Sequence, residues 1–329
     1  MTSLVYLKFV AIFAVVSIGW IVGKLQWLGP ATASHDPART LGNAAYFIFV
    51  PALLFRTTAR IDFRTMPWHT LIAVFVPLTL MLLAVYGWQR RVNRNHHLSA
   101  AAPAVRALST TFGNTVQVGI PIAVALFGEF GLSIHLAIVS LHALILLTMS
   151  TTLVELDLAN ARRASGRTDT HLARTLLLTA RATLVHPVVL PVLMGLVWNA
   201  VGLPLPVVVD DILQTLGQAV VPLCLVLIGL SLAYQGVRGV ARSAVWMSAL
   251  KLLVLPALVL AVARWGFNLG GQPLAVVVMM AALPIGSNAL IFAQRYRTLE
   301  AETTAATVFS TLGFVVTAPL WLALLVRFF

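Results

Sequence analysis

The chain has 329 residues, of which 60% are apolar and only 10% charged, against about 25% charged in a soluble domain. That balance excludes a water-soluble globular protein. The net charge of +12 does not point to nucleic acid, because the basic residues lie between apolar runs and act as topology signals, and the lone cysteine, Cys224, rules out a disulfide framework.

Ten apolar runs are long enough to cross a bilayer, each of about 20 residues. The first, near 4–23, lacks the basic cluster of a signal peptide. The cleavage-like triplet Ala31-Thr32-Ala33 lies well beyond its apolar stretch, so the run reads as a membrane span. The second (41–57) carries Pro51 and the third (67–88) Pro77. The fourth (105–127) is interrupted midway by Gly113-Asn114-Thr115-Val116-Gln117-Val118-Gly119-Ile120-Pro121. The fifth (132–154) places His135 and His142 on one helix face, two turns apart. A polar stretch from Glu155 to Arg174 follows. The sixth (173–199) has His186 before Pro187, the seventh (208–233) carries Pro222, and the eighth (242–264) holds Lys251 near its centre. The ninth (273–294) is interrupted by Pro284-Ile285-Gly286-Ser287-Asn288, and the tenth (304–327) carries Ser310.

The fold class that follows is an all-α membrane protein of ten transmembrane helices. The polar stretch divides them into a first five-helix repeat (1–154), a central cytoplasmic connection (155–172) and a second repeat (173–329). An odd number of spans per half inserts the second half upside down. Matching features recur in order: Leu41-Gly42-Asn43-Ala44 with Leu216-Gly217-Gln218-Ala219, Val76-Pro77 with Leu255-Pro256, the two interruptions, and Ser140 with Ser310. This is the mark of an inverted repeat. Basic residues such as Arg90, Arg91, Arg94, Arg162, Arg163 and Arg167 gather on one side, which favours both termini outside an inner membrane. Arg56, Arg60 and Arg64 stand on the opposite side, against that trend.

Gly and Pro free backbone groups at the depth where water is scarcest, which is tolerated only where they face protein, ligand or a wet cavity. Helix halves restarting near Pro121 and Pro284 would present positive dipole ends at the midplane. With Asn114, Thr115, Gln117, Gly119, Gly286, Ser287 and Asn288 around them, they make a candidate site for an anion, most simply a carboxylate. The other reading is that these residues only satisfy neighbouring backbone. Lys251 at mid-span costs roughly 2.5–3.5 kcal/mol to insert. It is a candidate counter-charge or coupling group, a bridge to a carbonyl at a helix break, or a snorkelling stem. His142 is a candidate coupling residue, and a packed, hydrogen-bonded histidine is the plainer alternative for it and His135. No metal site is expected, because two imidazoles without Cys or carboxylate are too few. No cofactor is expected either. There is no His-Glu-x-x-His, no Gly-x-Ser-x-Gly and no Walker loop, so there is no catalytic set. Asp210-Asp211 begins an acidic pattern that Gln214 does not complete for magnesium-held diphosphate.

The motif from Gly113 to Pro121 resembles the fourth-helix signature of the auxin efflux carrier family. Ala281-Ala282-Leu283-Pro284 with Phe292-Ala293-Gln294-Arg295-Tyr296 is similar to its ninth helix, and Val220-Val221-Pro222-Leu223 with Gly229-Leu230-Ser231-Leu232 to its seventh. Lys251 ahead of Leu255-Pro256 is similar to a basic residue before a proline in the eighth. The resemblance covers the whole chain. It implies ten helices in two inverted halves, a fold shared with bile-acid sodium symporters, and helices four and nine crossing at Pro121 and Pro284 beside the substrate. It also implies elevator-type movement of helices three to five and eight to ten against the others. Bacterial members of that family are often labelled malonate or other organic-anion permeases, so the resemblance implies a substrate of that kind. Two features depart from the family pattern: the central connection lacks the long loop of many plant members, and Gln117 replaces an expected apolar residue.

The expectation is therefore a secondary active permease for a small organic anion, such as a dicarboxylate or an auxin-like acid. Its partners are that anion and the lipid bilayer, with no nucleic acid and with a homodimer left open. The rivals are a sodium-coupled symporter of the same fold and an intramembrane lipid-modifying enzyme.

Overall fold

Proline and glycine decide where these helices bend and where they stop. The computed structural model describes residues 14–30, 37–60, 67–96, 99–164, 185, 189–234 and 241–328. Among the described residues the chain is helical, with no strand and one isolated two-residue bridge. The first helices are α1 (Ala14–Lys24), α2 (Pro37–Ala44), α3 (Val50–Ala59), α4 (Trp68–His96), α5 (Ala102–Thr111) and α6 (Ile120–Ala164). After them come α7 (Val189–Val201), α8 (Val207–Gln218), α9 (Val220–Tyr234), α10 (Ala241–Ala249), α11 (Leu255–Ala261), α12 (Gly271–Ala282), α13 (Ser287–Arg295) and α14 (Glu300–Leu325). The triplet Ala31-Thr32-Ala33, Arg64, His186 and the expected connection beyond Ala164 lie outside the described residues.

Among the described residues, five helical stretches are long and apolar enough to cross a membrane: Trp68–Val92, Ile120–Leu158, Val207–Leu227, Arg242–Gly266 and Glu300–Leu325. Ala14–Lys24, Leu190–Val201 and Gly271–Ala282 are shorter apolar helices. Helices satisfy their own backbone groups, which hydrocarbon requires. The stretch Ile120–Leu158 has 39 residues, about 58 Å at helical rise, nearly twice the hydrocarbon thickness. The sequence expects two spans there, and α6 is one element with a single non-helical residue, Gly128, at φ 64 and ψ −159. Glycine takes that geometry without a Cβ penalty. The exposed Glu129 and Phe130 follow it, where the sequence places the turn between the fourth and fifth runs.

Among the described residues, three of the four π-turns, Ala45–Phe49, Thr115–Gly119 and Leu250–Val254, each end two residues before a proline, Pro51, Pro121 and Pro256, whereas the fourth, Val262–Gly266, does not. The cause is local. A proline ring has no N–H and crowds the carbonyl four residues back, so the helix widens by one residue to pass it. Val50 accordingly donates to the Ala45 carbonyl, and Leu255 to the Leu250 carbonyl, five residues back in each case. The carbonyl that Pro256 leaves without its usual partner is Leu252. The Trp321 indole N–H of α14 donates to it at 2.8 Å, which answers the general demand that buried backbone groups be paired.

The chain divides into two compact units, each assembled from distant segments. The first comprises Met1–Met66, Thr115–Ser140 and Pro187–Gly236. In it, the Arg56 guanidinium donates to both Asp210 carboxylate oxygens, at 2.8 and 3.2 Å, and to Gln214 at 3.0 Å. Arg60 joins the same carboxylate at 2.6 Å. Two of the arginines that run against the charge trend thus share one carboxylate, that of Asp210 in the first turn of α8.

The second unit comprises Pro67–Asn114, Leu141–His186 and Val237–Phe329. Its core is α12, apolar on every face and therefore enclosed on every face: no residue from Leu274 to Ala282 is more than 2% exposed. Polar ties hold the helix ends around it. Tyr86 donates to Asp157 at 2.8 Å and Arg90 pairs with the same carboxylate at 3.0 Å. Arg106 donates to both Glu302 oxygens at 3.1 Å and to Gln89 at 2.9 Å.

Candidate functional site

In the second unit, α5 and α12 stop at neighbouring points, for different local reasons. Leu283 precedes Pro284, and the proline ring pushes the residue before it out of the helical region, here to φ −56 and ψ 148. At the end of α5, Phe112 turns extended, with ψ 107, ahead of Gly113. The two non-helical segments then pair. Gly113 and Ile285 form an antiparallel bridge. The Asn114 N–H donates to the Pro284 carbonyl at 2.8 Å, and the Gly286 N–H to the Phe112 carbonyl at 3.0 Å.

The two residues at the centre of the bridge each give their N–H to a side chain. Gly113 donates to His142 Nε2 at 3.2 Å, and Ile285 to Ser310 Oγ at 3.0 Å. His142 and Ser310 are 1% and 0% exposed, so each removes a donor that would otherwise be buried and unpaired. His142 must present Nε2 as an acceptor, which places its proton on Nδ1 in the neutral ring. The Phe112 ring packs against it, 4.6 Å between centroids.

Lys251 lies in the π-turn between α10 and α11, with 0% exposure. Its Nζ donates to the Ala281 carbonyl at 2.5 Å, in the last turn of α12. A methyl group placed on Gly113 would stand 3.4 Å from the same Nζ. The ammonium thus sits where the carbonyl ends of α5 and α12 meet. Of the roles open to it from sequence, this geometry is that of a bridge to a carbonyl at a helix break.

Of the expected site residues, Asn114, Pro284, Gly286 and Asn288 fall in the second unit, the first three in the bridged segments and Asn288 in the first turn of α13. The Asn288 Oδ1 is buried with no hydrogen-bond partner among the described residues. Thr115, Gly119 and Pro121 belong to the first unit. There the Thr115 carbonyl lies 2.8 Å from His135 Nε2, whose proton it accepts. The side chains of Gln117 and Ser287 lie outside the described residues, and only their backbone is placed, in the π-turn and at the start of α13.

Residues 4–322 match the model of a family described as membrane transport protein. The chain belongs to the auxin efflux carrier family. An Escherichia coli (strain K12) protein named uncharacterized transporter YfdV is 27% identical over 316 residues, covering 94% of each chain. An uncharacterized transporter of Methanothermobacter thermautotrophicus is 25% identical over 315 residues, 94% of this chain and 95% of that one. Auxin efflux carrier component 8 of Arabidopsis thaliana is 27% identical over 221 residues, 56% of this chain and 60% of its own. The family and these relatives are transporters, not enzymes, so this auxin efflux carrier family member is a membrane transporter.

Two side-chain-to-backbone bonds of this carrier are not legible in its sequence. The sequence pairs Ser140 with Ser310, but the Ser140 hydroxyl donates to its own helix at the Leu136 carbonyl, 2.8 Å away. The counterpart of Ser310 is His142, two residues further on. The signal was present, since both residues lie on the run following their interruption, but the exchange of a hydroxyl for an imidazole hides the equivalence. Trp321 leaves no motif at all, because its partner carbonyl is 69 residues away in the chain.

Proposed function

We propose that this transporter is a secondary active permease for a small organic anion, a carboxylate such as a dicarboxylate or an auxin-like acid. Its ten helices form two inverted repeats of five, residues 1–154 and 173–329 joined by 155–172, in the bile-acid sodium symporter-like arrangement. Helices four and nine cross at Pro121 and Pro284. The carrier sits in the inner membrane with both termini outside and works by elevator-type alternating access. The substrate site is built from Asn114, Thr115, Gln117, Gly119, Pro121, Pro284, Gly286, Ser287 and Asn288.

The observation that carries this reading is the start of α13. A helix N-terminus opens at Ser287 in the middle of an apolar run, next to a buried Asn288 amide oxygen without a partner among the described residues. The first N–H groups of a helix have no partner within it and carry its positive pole, which suits an anion. An amide beside them offers both a donor and an acceptor to a carboxyl group and its substituents. The bridge between the interrupted segments supports the crossing. A thermal-shift screen of the purified protein against mono- and dicarboxylates tests the reading. Saturable stabilisation by a carboxylate, absent with its amide or ester, is expected; no stabilisation by any carboxylate would count against it.

A further inference from the structure

A lysine that is 0% exposed at the centre of an apolar helix demands an explanation. An unpaired ammonium in hydrocarbon is costly and persists only with polar partners. Its partners are of one kind. α5 ends at Thr111 and α12 at Ala282, and each helix carries a negative pole of roughly half a charge at its carbonyl end. Some of the carbonyls at the two ends and in the segments beyond them are engaged by backbone N–H groups. Leu108 accepts from Phe112, Met280 from Leu283, Phe112 from Gly286 and Pro284 from Asn114. The Ala281 carbonyl accepts from Lys251, whose Nζ also stands beside Gly113.

Among the described residues no carboxylate pairs with this ammonium, and its acceptor is a backbone carbonyl. Backbone carbonyls gathered at broken helix ends are the ligands that a hard monovalent cation takes inside a membrane protein. We infer that Lys251 is a tethered cation that takes the place of an inorganic one: it neutralises the carbonyl ends of α5 and α12 so that the bridged segments hold together with no bound sodium or potassium. Lys251 is then a positioning residue, acting on the substrate groups at Asn114 and Asn288 through the bridge. The carrier has no need of a sodium gradient. This deepens the permease reading above, but the charge argument uses only the second unit and stands apart from the identity of the substrate.

The test follows thermal unfolding of the purified full-length protein by tryptophan fluorescence, at constant ionic strength, in sodium, potassium or N-methylglucamine chloride. The wild-type midpoint is expected to be the same in all three. Lys251→Ala, which removes the charge and leaves a space, should lower the midpoint. Ethylammonium or sodium should then restore a saturable part of the loss. Lys251→Met, which removes the charge but fills the space, should lower the midpoint with no recovery in ethylammonium. A wild-type midpoint raised saturably by sodium would overturn the inference. So would a Lys251→Met protein as stable as wild type, or a Lys251→Ala protein that no small cation restores. If Lys251→Ala does not fold, the wild-type and Lys251→Met arms decide alone. No arm contains an organic anion, so failure of the carboxylate screen leaves this result interpretable, and the converse holds.

Discussion

The first interruption leads through Gly113 and Asn114 into a π-turn that runs to Gly119, whereas the second crosses Leu283 to Gly286 and re-enters an α-helix directly at Ser287. The boundary between the compact units passes within the first, between Asn114 and Thr115, and the second lies wholly in one unit. Each central N–H is taken up by a side chain from the run that follows, an imidazole in one case and a hydroxyl in the other. Two segments that read as copies in sequence are therefore built differently. Within one the chain passes from unit to unit, and the other lies wholly within a single unit.

That contrast orders the effects of substitution on stability. Gly286→Val should be the most severe. A Cβ there would lie 2.8 Å from the Gly113 carbonyl oxygen and 2.9 Å from the Phe112 ring. Overpacking together with loss of two bridging hydrogen bonds amounts to about 4 kcal/mol. The readout is a strongly lowered unfolding midpoint; a midpoint near wild type would mean that the bridge is not part of the folded protein. Ser310→Ala and His142→Phe come next, each stranding one buried N–H at a cost of about 2 kcal/mol. Equal losses would support the equivalence of His142 and Ser310, and a loss confined to one of them would break it.

Trp321→Phe should cost about 1 kcal/mol, the worth of one hydrogen bond to the Leu252 carbonyl. Its effect should vanish when Pro256 is replaced by Ala, because the helix can then bond that carbonyl itself. A double-mutant cycle measures this coupling directly. Asp210→Asn, in the other unit, should change the midpoint least, since Arg56 and Arg60 keep access to water with side chains 25% and 52% exposed.

Much of this was legible in the chain because Gly and Pro act locally. The extended Leu283 follows from Pro284, three of the π-turns follow from Pro51, Pro121 and Pro256, and the turn at Gly128 follows from the gap between two apolar runs. The place of Lys251 at mid-span was legible too, with a bridge to a carbonyl at a helix break among the roles open to it. Which carbonyl was not, because Ala281 offers only a backbone group and such groups leave no trace in composition. The same holds for Trp321 and Leu252. The pairing of Arg56 and Arg60 with Asp210 is hidden in the sequence for another reason: the charge balance on each side of a membrane does not register an acid supplied by a distant helix.

The central claim is that the bridged segments border an organic-anion site, and Asn114 is the residue that tests it most directly. The measurement is counterflow of a labelled carboxylate, taken from the thermal-shift screen, into proteoliposomes holding wild-type protein or Asn114→Ala. Saturable counterflow by the wild type, abolished in a variant that still inserts and unfolds cooperatively, is the predicted result. Unchanged uptake kinetics in Asn114→Ala would contradict the assignment.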